Sequence, residues 1–200
     1  MARKHESTAV RQGQIADAAR KVIIKYGSEH VTVRRIASEV GISEAAIYRH
    51  FKSKKEILSL LADHIEEYLL ADLALKAGWG ERGCLSALES TLKHHLSATE
   101  QRHGVSFQVI AEIISLGDKG LSRKVAGTIS KYIGRLKDVL AEGVSAGEVR
   151  EDVDLEAAAT LLFGMMQALV NIWALSNYSF CPEERYARLW NVFRKAVARS

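Results

Sequence analysis

The chain has 200 residues, 48% apolar and 26% charged, with a formal net charge of +4. That balance excludes a disordered or fibrous polymer, and two cysteines, Cys84 and Cys181, without C-x-x-C or Cys/His spacing exclude a disulfide framework or a zinc module. A single proline, Pro182, over this length points to long helices. The opening MARKHESTAVRQGQ carries no apolar run, so no secretory signal is expected, and a reducing cytoplasm is the expected setting.

Residues 11–26 place Ile15, Ala19, Val22, Ile23 and Tyr26 on one helical face, with Gly27 as its stop. Thr32 is suited to cap a short helix carrying Val33, Ile36, Ala37 and Val40, and Arg35 at its N3 position leaves no capping box. Gly41 ends that helix. Ser43 caps the next, expected over 44–51, which carries Ile47, Tyr48 and Phe51. Ser53 and Glu56 have capping-box spacing ahead of a longer helix over 54–74 with Ile57, Leu58, Leu61, Ile65, Tyr68 and Leu69. The centre of this region is short helix, tight turn, short helix. Ala37 is small enough for close approach, Gly41 supplies a positive φ, and Ile42 plugs the corner, a pattern that fits a helix-turn-helix.

The positive charge is concentrated in the same place. Residues 1–56 hold twelve Lys and Arg against six Asp and Glu, a net of +6, which leaves −2 for the remainder. A basic end of this kind points to a polyanion, either nucleic acid or an anionic membrane surface, with a merely solvated basic face as the alternative.

The run from Thr32 to Lys54, TVRRIASEVGISEAAIYRHFKSK, resembles the DNA-binding domain of TetR-type transcriptional regulators. The specific marks are Thr32, Ile36-Ala37, Val40-Gly41-Ile42-Ser43, Ile47-Tyr48-Arg49-His50-Phe51 and Lys52-Ser53-Lys54, and the similarity covers residues 11–60. By their chemistry, Thr32 can donate to a phosphate at a helix N-terminus, and Arg34 can reach backbone or groove. Ser43 and Glu44 open the second helix; Glu44 can accept from a cytosine amino group or simply serve the helix dipole. Ala45 and Ala46 are small enough to let the helix sit deep, and their methyls can touch thymine. Arg49 can read guanine or bind a phosphate. The resemblance implies that Tyr48 and His50 are phosphate anchors and that Lys54 is a phosphate-binding lysine; the plainer readings are a core tyrosine and a helix-end histidine.

Glycines 78, 80 and 83 suggest a loop from 76 to 83. Helices are then expected over 84–98, 105–116, 121–143, 155–178 and 183–198, giving an all-α fold of about nine helices with no strand-like alternation. The expected domains are 1–56, binding DNA, and 57–200, binding an effector and dimerising. From Ala157 to Pro182 there is no charged residue. The stretch is interrupted by Thr160, Gly164, Gln167, Asn171, Ser176 and Asn177. It is preceded by Glu151, Asp152, Asp154 and Glu156 rather than a basic cluster, so a buried helix is expected and no membrane span.

That helix has two apolar faces, one more than a single core needs. The resemblance implies that the last two helices pair with their symmetry mates. A C2 homodimer is therefore expected through Leu162, Met166, Leu169, Val170, Trp173, Leu189 and Phe193. Its two recognition helices would then meet half-sites about 34–36 Å apart. The resemblance also implies an effector cavity. Phe107, Ile110, Tyr132, Met165 and Trp173 are candidate lining, with Trp79 and Phe163 beside them and ordinary core as the alternative. His95, His103, Gln108, Glu112, Asn171 and Asn177 are possible polar handles.

His94-His95, His64 and His103 lack metal-ligand spacing, so no metal is expected. No P-loop, G-x-G-x-x-G, nucleophile elbow or H-E-x-x-H occurs, so neither a cofactor nor an enzymatic activity is expected. The reading is a one-component transcriptional regulator, a repressor, that binds a palindromic double-stranded operator as a dimer. An unidentified small apolar or amphipathic effector releases it. The alternatives are a ligand-independent DNA-binding architectural or partner-recruiting protein, and an enzyme with a dormant helix-turn-helix.

Overall fold

The computed structural model describes residues 7–74 and 83–199, the side chains of 72–74 excepted. Among the described residues there are nine α-helices: α1 (Thr8–Tyr26), α2 (Val33–Val40), α3 (Glu44–Tyr48), α4 (Lys54–Ala74), α5 (Cys84–Gln101), α6 (Val105–Leu116), α7 (Lys119–Ser145), α8 (Leu155–Leu175) and α9 (Pro182–Val197). The all-α expectation holds. The loop expected over 76–83 and the Trp79 side chain lie outside the described residues, apart from Gly83.

Helix ends follow local chemistry. Ser7 caps α1 by accepting the Val10 N–H, so the helix starts earlier than its apolar face suggests. Asp118 accepts the N–H groups of Gly120 and Leu121, which moves the start of α7 back to Lys119. α8 stops at Leu175, three residues short of the expected end, because Asn177 and Tyr178 adopt left-handed φ values of 52° and 60°.

Contacts divide the chain into two compact units. One comprises Met1–Ile65 with Val105–Val125, the other Glu66–Gly104 with Ala126–Ser200. The first unit therefore takes in more than residues 1–56: it includes half of α4, all of α6 and the start of α7. Its core holds Ile15, Ala19, Val22, Ile36, Ile47, Ile57, Leu58, Leu61, Val109 and Ile113. α6 packs against α1. Lysine–carboxylate ties reinforce the unit: Lys54 to Glu112 at 2.7 Å, Lys55 to Asp118 at 2.7 Å and Lys124 to Asp63 at 2.6 Å. Arg20 of α1 contacts both Asp17 and the ring of His64 on α4.

In the second unit α9 packs on α8 and α5 around Leu88, Leu92, Tyr132, Leu136, Leu162, Met166, Tyr186, Trp190 and Phe193. The Glu148 carboxylate accepts the Cys84 and Leu85 N–H groups, so a residue more than sixty positions away caps α5. The backbone around Glu148 is in turn clipped to the end of α9: Arg150 N donates to Val197 O and Arg199 N to Glu148 O.

The expected dimer surface needs correction. Leu162, Met166, Leu169, Val170, Trp173 and Phe193 are all 4% exposed or less. Their surface is already covered within one chain, so they are core and leave nothing for a second subunit to bury. Only Leu189 stays half-buried. The other face of α8 is the open one: Leu161 is 53% exposed, Ile172 49% and Leu175 86%, with exposed Gly164 and Ala168 between them and exposed Ala157 one turn before. α8 is long and apolar enough to cross a membrane by length and composition, yet its Leu162 face is packed into this unit.

Two measurements check this packing. Leu162→Ala should lower the unfolding free energy in urea by about 2–5 kcal/mol, because it leaves a cavity. Burial and the nearby Glu148 push the Cys84 thiol up to about 11, whereas Cys181 is exposed. Near neutral pH, alkylation of the native chain should therefore modify Cys181 and spare Cys84 until denaturant is added.

Candidate nucleic-acid interface

The interface is built on the corner between α2 and α3. Gly41 adopts φ 76°, ψ 34°, a left-handed geometry that costs a residue with a Cβ. Its N–H donates to Ser38 O and the Ile42 N–H donates to Ala37 O, the paired bonds of a Schellman stop. Ile36, Ala37 and Ile47 close the contact between the two helices at 3% exposure or less. The apolar side of each helix is thereby used up, and the polar side must face outward.

Two caps fix the helix starts that face outward. Thr32 Oγ1 accepts the Arg35 N–H at 3.2 Å, and Ser43 Oγ accepts the Ala46 N–H at 3.2 Å. In each case the hydroxyl proton is left to donate to an incoming anion. Thr32, Arg34, Ser43, Glu44, Ala45, Tyr48 and Arg49 are exposed, while Ala46, His50 and Lys54 are half-buried. α3 ends at Tyr48, and the His50 and Phe51 N–H groups both donate to Ile47 O, so the expected helix continues only as a turn. That turn holds Arg49 and His50 beside the recognition helix. His50 O accepts from Gln12 Nε2 at 3.5 Å, which ties α1 to this turn; nothing in the local pattern pointed to Gln12.

One expected contact is placed differently. Lys54 Nζ lies 2.7 Å from Glu112 Oε1, so the lysine expected on a phosphate is held by a carboxylate of α6. Glu112, read from sequence as a polar handle for a ligand, belongs instead to the DNA-binding unit.

Residues 15–61 match the bacterial regulatory proteins of the tetR family, and residues 77–190 match the C-terminal region of YsiA-like protein. The chain belongs to the TetR family. It is 27% identical over 171 residues to a fatty acid metabolism regulator protein of Bacillus subtilis (strain 168), covering 84% of this chain and 85% of the relative. It is 30% identical over 173 residues to the nucleoid occlusion factor SlmA of Shewanella loihica, covering 86% and 87%. A solved structure of the transcriptional regulator FadR from Bacillus subtilis, in complex with stearoyl-CoA, superposes with a TM-score of 0.71 at 26% identity, covering 92% and 95%. This TetR-family chain is thus a DNA-binding transcriptional regulator with the helix-turn-helix described above.

The candidate effector residues of the regulator fall in both units. Phe107 and Ile110, on α6, are half-buried in the first. Tyr132 and Trp173 are buried in the second, and Met165 is half-buried there. Tyr132 packs against Phe163 at 6.1 Å and against His95 at 5.9 Å. Trp173 Nε1 is buried with no hydrogen-bond partner among the described residues. His103 is exposed and edges onto Tyr178.

Removing the Ser43 cap should cost about 1 kcal/mol of stability and loosen the start of the recognition helix. Denaturant unfolding of Ser43→Ala, with Ser43→Asp as the variant that keeps a cap, measures it.

Proposed function

We propose that this regulator is a repressor that binds a palindromic operator as a C2 dimer and lets go when it binds a long-chain acyl-CoA. The observation that carries the reading is the exposed row Ser43, Glu44, Ala45 and Arg49 on a rigidly cornered helix-turn-helix, flanked by the exposed hydroxyl-bearing side chains of Thr32 and Tyr48. Arg49 offers a bidentate donor for guanine, the alanines offer methyls for thymine, and the hydroxyls offer phosphate contacts.

The open face of α8 supports the dimer. Leu161, Gly164, Met165, Ala168, Ile172 and Leu175 recur at helical spacing, and Val192 of α9 is 69% exposed. A second copy related by a two-fold axis would bury this surface against itself. The acyl-CoA assignment leans on the Bacillus subtilis regulator seen with stearoyl-CoA, and on the apolar and aromatic interior of the second unit. Such a ligand releases the operator only to the extent that it prefers the non-binding conformation.

The relationship to SlmA supports a second reading, in which the chain binds DNA without a small-molecule effector. One experiment separates the two: selection of bound duplexes from a random pool, repeated with stearoyl-CoA. The repressor reading expects an enriched palindrome whose recovery falls as stearoyl-CoA is added. Enrichment unaffected by any acyl-CoA favours the second reading, and no enrichment removes both.

Arg49→Ala should flatten the preference at one base position by about 1–3 kcal/mol while leaving binding to random DNA in place. Leu161→Glu combined with Ile172→Glu should give a monomer in sedimentation and lose operator binding. A dimer that survives both changes would move the interface off α8.

A further inference from the structure

We propose that Glu112 is an internal stand-in for a DNA phosphate, caging Lys54 and so limiting how much backbone charge the DNA-binding unit can neutralise. The inference rests on DNA binding by this unit.

Lys54 is the first residue of α4. An ammonium there meets the positive end of the helix dipole, which disfavours it unless an anion is close. Glu112 supplies that anion at 2.7 Å, from a residue 58 positions later in the chain. The side chains are 28% and 13% exposed, so water screens this pair less than it screens the neighbouring Lys55–Asp118 tie, at 53% and 24%. Lys54 and Glu112 together carry no net charge. An arriving phosphate therefore finds little attraction at a position where the family resemblance implies a cation.

The ammonium could still change partners, but the exchange gains little. Neutralising a phosphate frees a condensed counterion from DNA. Glu112, left bare, would then take up a cation from solution. The two cancel, so Lys54 adds almost nothing to the salt dependence of binding while Glu112 keeps its charge. Glu112→Gln keeps the shape and a carbonyl acceptor but removes the competing charge, leaving Lys54 free to neutralise a phosphate.

The test measures affinity for random-sequence and operator duplexes against salt, with the full chain. Glu112→Gln should steepen the slope of log affinity against log salt by about 0.9, equivalent to a further three- to four-fold loss between 50 and 200 mM salt. At low salt it should bind both duplexes severalfold more tightly, with the operator preference unchanged, because a phosphate contact carries no sequence information. Lys54→Met alone should leave the slope where it is in the native chain, and in the Glu112→Gln background should abolish the gain. A tie that only stabilises α4 predicts the reverse: weaker binding and no steeper slope in Glu112→Gln. That result, or a slope about one unit shallower in Lys54→Met alone, overturns the proposal. If Glu112→Gln does not fold, the Lys54→Met slope decides. A native chain that binds no duplex at any salt overturns DNA binding itself, and this proposal with it.

Discussion

Helices of eight and five residues cannot hold themselves in water, because the cost of nucleating a turn is not recovered over so short a run. α2 and α3 exist because Ile36, Ala37, Ile47 and Phe51 are buried among neighbouring helices, and because Gly41 reverses the chain between them without strain. Everything the molecule presents to DNA depends on that burial. The outward residues are outward because the inward positions are taken, and the Schellman bonds leave the corner little freedom to reorient them.

Local features were legible in the sequence because their causes are local. Thr32 and Ser43 read as caps, Gly41 as the left-handed corner, and each has that role in the structure. What the sequence could not show is pairing at a distance. Nothing near Lys54 announces Glu112, which lies 58 residues on and shares its compact unit. The two faces of α8 were both visible, but periodicity gives faces no direction. Leu162 and Met166 differ from Leu161 and Met165 by one position, and only packing tells which pair meets α9 and which is left more exposed. Gln12 was missed for the same reason, since its bond to His50 O spans 38 residues.

The charge asymmetry survives this redrawing of boundaries. The first compact unit has fifteen basic and nine acidic residues, again +6, and the second has thirteen and fifteen, again −2. What changes is its texture. The basic surface is laced with carboxylates drawn from α4, α6 and the segment leading into α7, so formal charge overstates what is presented to a polyanion. Exposed Arg34 and Arg49, which have no carboxylate partner among the described residues, carry more of the field than Lys54 and Lys55 do.

The clip between residues 148–150 and 197–199 has a bearing on how the chain tolerates change. Glu148 uses its side chain to cap α5 and its backbone to anchor Arg199, two residues past the end of α9. Three segments distant in sequence thus share one residue. Insertions or deletions in the turn after α7 would uncap α5 and release the end of α9 together. The short connection around Glu148 should therefore resist the length variation that surface turns usually accept, and drift in its length among descendants of this chain should be slow.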